Sequence, residues 1–244
     1  MVDFPAGRID PTAQRGYQGA AMAMWPGRER PRVRIIDITQ RLDARTPLWP
    51  GEPPFVLRQH AEISDQCPVN VGALAMPLHA GTHADAPFHY DAAGQTSAET
   101  ALDPYIGRCV VVDVRHAKGL AVEVADIDWA ALEAADAPRV LLRTYERFLH
   151  EAWDSAFRAV SAAVIERLAG LGVVLIGTDA ASLDPETSKT MDAHHAVRAA
   201  DMRILEGLVL DHVEPGVYEL ISLPLPLAGA DASPVRAVLR VIAA

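Results

Sequence analysis

The chain has 244 residues, half of them hydrophobic, and a formal net charge of −10. That acidity argues against a general nucleic-acid or anionic-membrane binder, and no apolar run approaches the roughly 20 residues needed to span a bilayer. Cys67 and Cys109, without a CxxC spacing, indicate neither a disulfide framework nor a zinc ribbon; they read as reduced thiols of a cytoplasmic protein, with one bridge between them as the alternative.

Residues 1–31 differ from the rest. Pro5, Gly7, Pro11, Gly16, Gly19, Pro26, Gly27 and Pro31 punctuate them, and the apolar run at 20–25 is shorter than a signal-peptide core. They read as a flexible N-terminal extension, or else as an arm ordered on a partner subunit, ahead of one domain spanning 32–244. The β-branched run 33–39 is the first strand. A proline-rich loop at 47–54 follows and holds Trp49 stiffly, either as a platform for a flat ligand or as cover for the edge of the core. Further strands are expected at 69–76, 108–114, 139–143, 173–176, 203–210, 217–223 and 235–242. Helices are expected at 125–135, capped by Asp126 or Asp128, and at 161–169, with Val164, Ile165 and Leu168 on one face and Gly170 as the stop. Strands interspersed with helices make this a single mixed α/β domain. No G-x-S-x-G elbow, G-x-G-x-x-G fingerprint or P-loop occurs, which argues against a hydrolase triad and the common nucleotide sites.

Chemistry concentrates at 78–90. His79, His83, Asp85 and His89 all occupy odd positions, so an extended chain would present them on one face. Gly81 and Pro87 oppose a helix there, and a strand end running into a loop is expected. Imidazole is the commonest metal ligand and a carboxylate can complete or bridge a site. His79, His83 and Asp85 are close enough to bind one ion, with Thr82 as a supporting hydrogen-bond donor. His89, beyond Pro87, is placed to act as a general acid/base. The competing reading is a polar loop with surface or capping histidines; three of them with a carboxylate on one face favour the metal.

A second signal lies downstream. Glu206 sits within the apolar run 204–210, twelve residues after His194. A glutamate in a buried strand is costly unless it is paired or bound to a cation. Glu206 is either a ligand or an edge-strand residue facing solvent or pairing with Arg203 or Arg143. His60, His116, His150 and His212 read as ordinary surface or core residues.

The segment His79-Ala80-Gly81-Thr82-His83-Ala84-Asp85-Ala86-Pro87-Phe88-His89 resembles the H-x-G-T-H-x-D-x-P-x-H signature of the cyclase family of metal-dependent hydrolases. Segments 49–51, 67–70, 139–147, 177–179, 182–185, 188–198, 204–210 and 231–236 are similar to its bacterial kynurenine formamidase branch. The resemblance runs from about residue 33 to the end. It implies a swivelling β/α/β fold with a mixed central sheet, a homodimer, and a site for two zinc ions. One ion would be held by His79, His83 and Asp85, the second by Asp85 and His194, with Glu206 contacting both. His194 is chosen over His195 by its interval to Glu206 in the family pattern. His89 would be the proton donor/acceptor and Trp49 would contact substrate. The reaction implied is hydrolysis of N-formyl-L-kynurenine to L-kynurenine and formate, a step of tryptophan catabolism. The alternatives are hydrolysis of a cyclic amide such as isatin, with manganese as the ion, and a non-catalytic protein that binds a metal or small ligand.

Overall fold

Side chains two apart line one face of a strand, and this chain uses that alternation to build two cores from one sheet. The computed structural model describes residues 33–242; the extension expected at 1–31 lies outside the described residues. In chain order the strands are β1 (Ile35–Asp37), β2 (Val56–Ala61), β3 (Val71–Ala75), β4 (His83–Asp85), β5 (Ile106–Asp113), β6 (Ala121–Val122), β7 (Arg139–Arg143), β8 (Ala159–Val160), β9 (Leu175–Thr178), β10 (Arg203–Glu206), β11 (Gly216–Ile221), β12 (Ala232–Pro234) and β13 (Val238–Arg240). The helices are α1 (Trp129–Ala135), α2 (Ala162–Gly170) and α3 (Asp192–Ala199).

Nine strands form one mixed sheet in the order β1-β13-β11-β5-β7-β9-β10-β4-β12. The central β5, β7, β9 and β10 run parallel, whereas both flanks pair antiparallel. On one face Val110, Val140, Leu142, Ile176 and Ile204 meet Val164, Ile165 and Leu168 of α2 and Val197 of α3. On the other, Cys109, Val111, Leu141, Leu175 and Leu205 meet Ile38, Leu220 and Leu239 from the sheet's own flank. The sheet thus curls over its second core. This is a single α/β domain with a mixed central sheet, as the sequence leads one to expect. No helix among the described residues is long and apolar enough to cross a membrane.

The elements differ from expectation in instructive places. The strand expected at 69–76 pairs with β2, which the sequence reading did not foresee, in a separate hairpin whose β3 is exposed at every residue. The helix expected from 125 begins at Trp129, where Asp128 accepts from the Ala131 N–H; Asp126 closes a preceding single turn. Of the strand expected at 235–242 only Val238–Arg240 forms, and the residues just before that run, Ala232–Pro234, make the separate β12 against β4. Helix α3 was not expected: its sequence DAHHAVRA carries no extended apolar stripe. The two cysteines are free and form no bridge.

Strand β10 stops at Glu206 because Gly207 takes a left-handed conformation at φ +62°. A β-carbon at Gly207 would collide with the Gly81 carbonyl oxygen, and Gly81 is itself left-handed at φ +66°. These two glycines let the histidine loop press against the end of β10. Gly207→Ala is expected to destabilise the protein by about 2–4 kcal/mol, since backbone strain and a backbone clash add. Urea unfolding checks this; an unchanged midpoint would show that the two loops separate at little cost.

Candidate active site

Strand register brings the first ligand-type residues together. Glu206 of β10 pairs with His83 of β4, and Ile204 pairs with Asp85. Directly opposed residues share a face, so Glu206, His83 and Asp85 emerge on the helix-covered side of the sheet. Glu206 is 3% exposed. Its Oε2 lies 3.4 Å from His83 Nε2, and its Oε1 lies 3.7 Å from His194 Nε2 while accepting the Leu183 N–H at 2.8 Å. It pairs with neither Arg203 nor Arg143, whose side chains hold other groups.

The strand end running into a loop is present as expected, but the strand is too short to carry all four side chains on one extended face. Only His83–Asp85 is a strand; His79 lies in the preceding turn and His89 ends a single 3-10 turn begun by Pro87. Gly81 bends the backbone before the strand and Pro87 ends it. The side chains nevertheless converge. His79 Nδ1 and His83 Nε2 lie 3.1 and 3.3 Å from Asp85 Oδ1, and His194 Nε2 lies 3.4 Å from Asp85 Oδ2. Ligand atoms of His79, His83 and Asp85 fall within 4.8 Å of one another, and so do those of Asp85, His89 and His194. A third such group is His79, His89 and Asp231, so Asp85, His79 and His89 each belong to two groups. His194 is buried while His195 points outward, which separates the adjacent pair.

Each histidine is oriented by a partner on its far nitrogen. His83 Nδ1 donates to the Gly81 carbonyl at 3.0 Å, and His194 Nδ1 donates to Asp184 at 2.6 Å. Those bonds aim both Nε2 atoms at the carboxylates, the tautomer a metal ligand requires. Asp184 also accepts the N–H groups of Ala193 and His194, so it caps α3 and fixes His194 together. His79 Nε2 lies 3.2 Å from Asp231 Oδ2, which is 3.5 Å from His89 Nδ1. Asp184 and Asp231 were not foreseen as site residues. Thr82 takes a structural part instead of reaching the cluster: its hydroxyl donates to the Gly207 carbonyl and accepts from the Gln40 N–H.

His83 Nε2 and both Asp85 oxygens are buried without an aligned hydrogen bond. Buried nitrogen and carboxylate lone pairs that converge in this way fit a divalent cation. His79, His83, His89 and Glu206 open on a cavity of about 320 Å³ that Trp49, Phe148 and Trp153 also line. Trp49 is 37% exposed and packs edge-on to Trp153 at 5.4 Å, so it both covers an aromatic cluster and faces the cavity. At the end of β9, Asp179 lines the same cavity and accepts from Thr144 and Tyr145; burial raises its pKa to about 6.

Residues 36–185 match the family described as Cyclase. The chain is 66% identical over 210 residues to a kynurenine formamidase of Sphingopyxis alaskensis, spanning 86% of this chain and 99% of that protein. It is 55% identical to a kynurenine formamidase of Maricaulis maris, spanning 85% and 98%. The chain belongs to the cyclase family. Among solved structures, a potential metal-dependent hydrolase with cyclase activity superposes with a TM-score of 0.72 at 26% identity, covering 87% of this chain and 100% of that one. An isatin hydrolase bound to thioisatinate gives 0.73 at 22% identity, covering 86% and 93%, a likeness of fold.

The electrostatics of this cyclase-family site call for positive charge. Burial opposes a charge on His83, but Asp85 and Glu206 override it and push its pKa up to about 10. His194 is likewise held down by burial and raised to about 10 by Asp184, Asp85 and Glu206. Burial opposes ionisation of Asp85, yet His194, His79 and His83 hold it well below the usual carboxylate range. In the metal-free chain, both imidazoles have folded-state values above their ordinary 6.5. Their pairing therefore stabilises the fold fully below about pH 6.5 and fades as pH rises to about 10. A divalent cation held by these imidazoles would displace the protons, and its stabilisation would then grow over the same interval. Melting temperatures of chelated and metal-loaded protein are expected to diverge as pH rises through that range. Parallel curves would show that the histidines do not exchange protons for metal.

Proposed function

We propose that this chain is a metal-dependent arylformamidase that hydrolyses N-formyl-L-kynurenine to L-kynurenine and formate in tryptophan catabolism. The observation that carries the reading is a single cavity with an aromatic wall of Trp49, Phe148 and Trp153 and a reactive wall of His79, His83, His89 and Glu206. It suits an aryl group attached to a small hydrolysable carbonyl. Relatives that share more than half of its residues along nearly their whole length are kynurenine formamidases.

The same proposal assigns two zinc ions, with manganese as the alternative. His79, His83 and Asp85 would hold one, Asp85 and His194 the other, and Glu206 would contact both. The two oxygens of Asp85 support this division, Oδ1 facing His79 and His83 and Oδ2 facing His194. When bound, such ions supply Lewis acidity, which lowers the pKa of water and polarises a carbonyl oxygen. The chain's own groups do the rest. His89 takes a proton from the attacking water and delivers it to the anilide nitrogen as the carbon–nitrogen bond breaks. Asp231, beside His89 Nδ1, orients that ring. Trp49 stacks on the aryl ring and excludes water from that side.

The proposal extends to a cytoplasmic homodimer. Hairpin β2–β3 leaves Leu57, Val71 and Leu74 exposed, and an isolated two-stranded hairpin is marginal in water, which supports cover by a second copy. Free Cys67 and Cys109 fit a reducing compartment.

Turnover of formylkynurenine is expected to disappear on chelation and return with zinc or manganese. His89→Ala is expected to keep its metal and lose about 10²–10⁴-fold in kcat. Full activity after complete metal removal would exclude the metal-dependent reading, and a metal-loaded, fully active His89→Ala variant would remove His89 from proton transfer.

A further inference from the structure

The charge of the cavity lining is one-sided. Glu52, Asp154, Asp179, Glu186 and Glu206 contribute to it, and no lysine or arginine does among the described residues. Most of these acids are already engaged. Glu206 belongs to the histidine cluster. Asp179 accepts from the Thr144 hydroxyl and from two backbone N–H groups. Asp154 receives the Tyr145 hydroxyl on Oδ2 at 2.7 Å and the Ala156 N–H on Oδ1 at 3.0 Å.

Glu52 is exposed on the proline-rich loop, whereas Glu186 is anchored in the wall. It is half-buried, and its Oε2 accepts the Trp153 indole N–H at 2.8 Å, whereas Oε1 accepts from none of the described residues. Trp153 in turn packs edge-on against Trp49 at 5.4 Å and against Phe157 at 6.2 Å. The carboxylate is thus fixed to the aromatic wall of the cavity, with one oxygen still available. A carboxylate positioned before binding loses little side-chain freedom when it engages a cation.

N-formyl-L-kynurenine carries an α-ammonium and an α-carboxylate on the arm remote from its formamide. Away from the histidine cluster the cavity wall is acidic and lacks lysine and arginine, so there it attracts the ammonium and offers the carboxylate no cationic side chain. Resting on the formylkynurenine reading, we infer that Glu186 is a specificity-determining residue, its free oxygen receiving the substrate's α-ammonium while the aryl ring lies against Trp49 and Trp153. The ionised pair forms a charge-assisted hydrogen bond beside an apolar wall, where it is stronger than in open water. Aryl formamides that bear a carboxylate and no amine lose this contact.

The test compares formylkynurenine with its des-amino analogue, 4-(2-formamidophenyl)-4-oxobutanoate, which keeps the formamide, the ketone and the carboxylate. Metal-loaded wild type is expected to prefer formylkynurenine. Glu186→Gln retains an acceptor for the Trp153 N–H and removes the charge. It is expected to cut that preference about tenfold, through KM for formylkynurenine rather than kcat. Glu186→Asp keeps the charge and is expected to retain part of the preference. Calorimetric titration with L-kynurenine gives a readout apart from turnover, and Glu186→Gln is expected to weaken binding by a similar factor at unchanged metal content. If wild type hydrolyses both compounds and the Gln variant leaves their ratio and the L-kynurenine affinity unchanged, the inference alone is overturned. If wild type hydrolyses neither, the formylkynurenine reading fails and the inference falls with it.

Discussion

Two carboxylates, Asp85 and Glu206, are buried among imidazoles at one end of the sheet, and the surrounding structure is built to keep them there. An uncompensated buried carboxylate costs several kcal/mol. Arginine does not relieve that cost: Arg143 and Arg203 bond to backbone carbonyls and to Asp201 instead. The histidines supply positive charge only as protons or by sharing a cation. The cluster is therefore stable in a protonated form or with metal, and the second form is the one that leaves neutral imidazoles as ligands.

Three features of the fold hold that cluster in place. The register of β10 against β4 sets Glu206 opposite His83, so a one-residue slip would turn Glu206 to the other face. The contact between Gly207 and Gly81 lets the loop before β4 approach the end of β10, and the Thr82 hydroxyl ties the two together. Asp184 then brings α3 to the sheet by capping its first turn and holding His194 with the same side chain. A helix, a strand pair and a loop from distant parts of the sequence thereby meet at one carboxylate, Asp85.

Much of this was legible in the chain. The His79, His83, Asp85 and His89 group stood out by residue type and spacing, although its geometry differs from a single extended face. Spacing reports nearness along the chain, while turns at Gly81 and Pro87 decide direction. Glu206 was visible because an acid within an apolar strand demands an explanation. The central strand 139–143 read correctly because its apolar run is buried on both faces, whereas the strand expected at 203–210 ends at Glu206, where Gly207 turns left-handed. His194 depended on the family resemblance, since its short helix buries only Ala193, His194 and Val197 and the adjacent His195 offers the same side chain. Asp184 and Asp231 fall within segments that resemble the family, but their residue type alone marks no role: they are acids in loops, and only the folded chain places them against His194, His79 and His89. Strand β2 was missed for a related reason, because an exposed, polar-rich hairpin arm lacks the alternation that a half-buried strand shows.

The central proposal is that the buried acids would share two metal ions across Asp85. A crystal structure of metal-loaded protein, with anomalous scattering recorded on both sides of the zinc or manganese absorption edge, tests it most directly. The account predicts two anomalous peaks per chain, both within coordination distance of Asp85 and Glu206, one beside His79 and His83 and the other beside His194. A single peak, or two peaks that leave Glu206 bonded only to the Leu183 N–H, would contradict it.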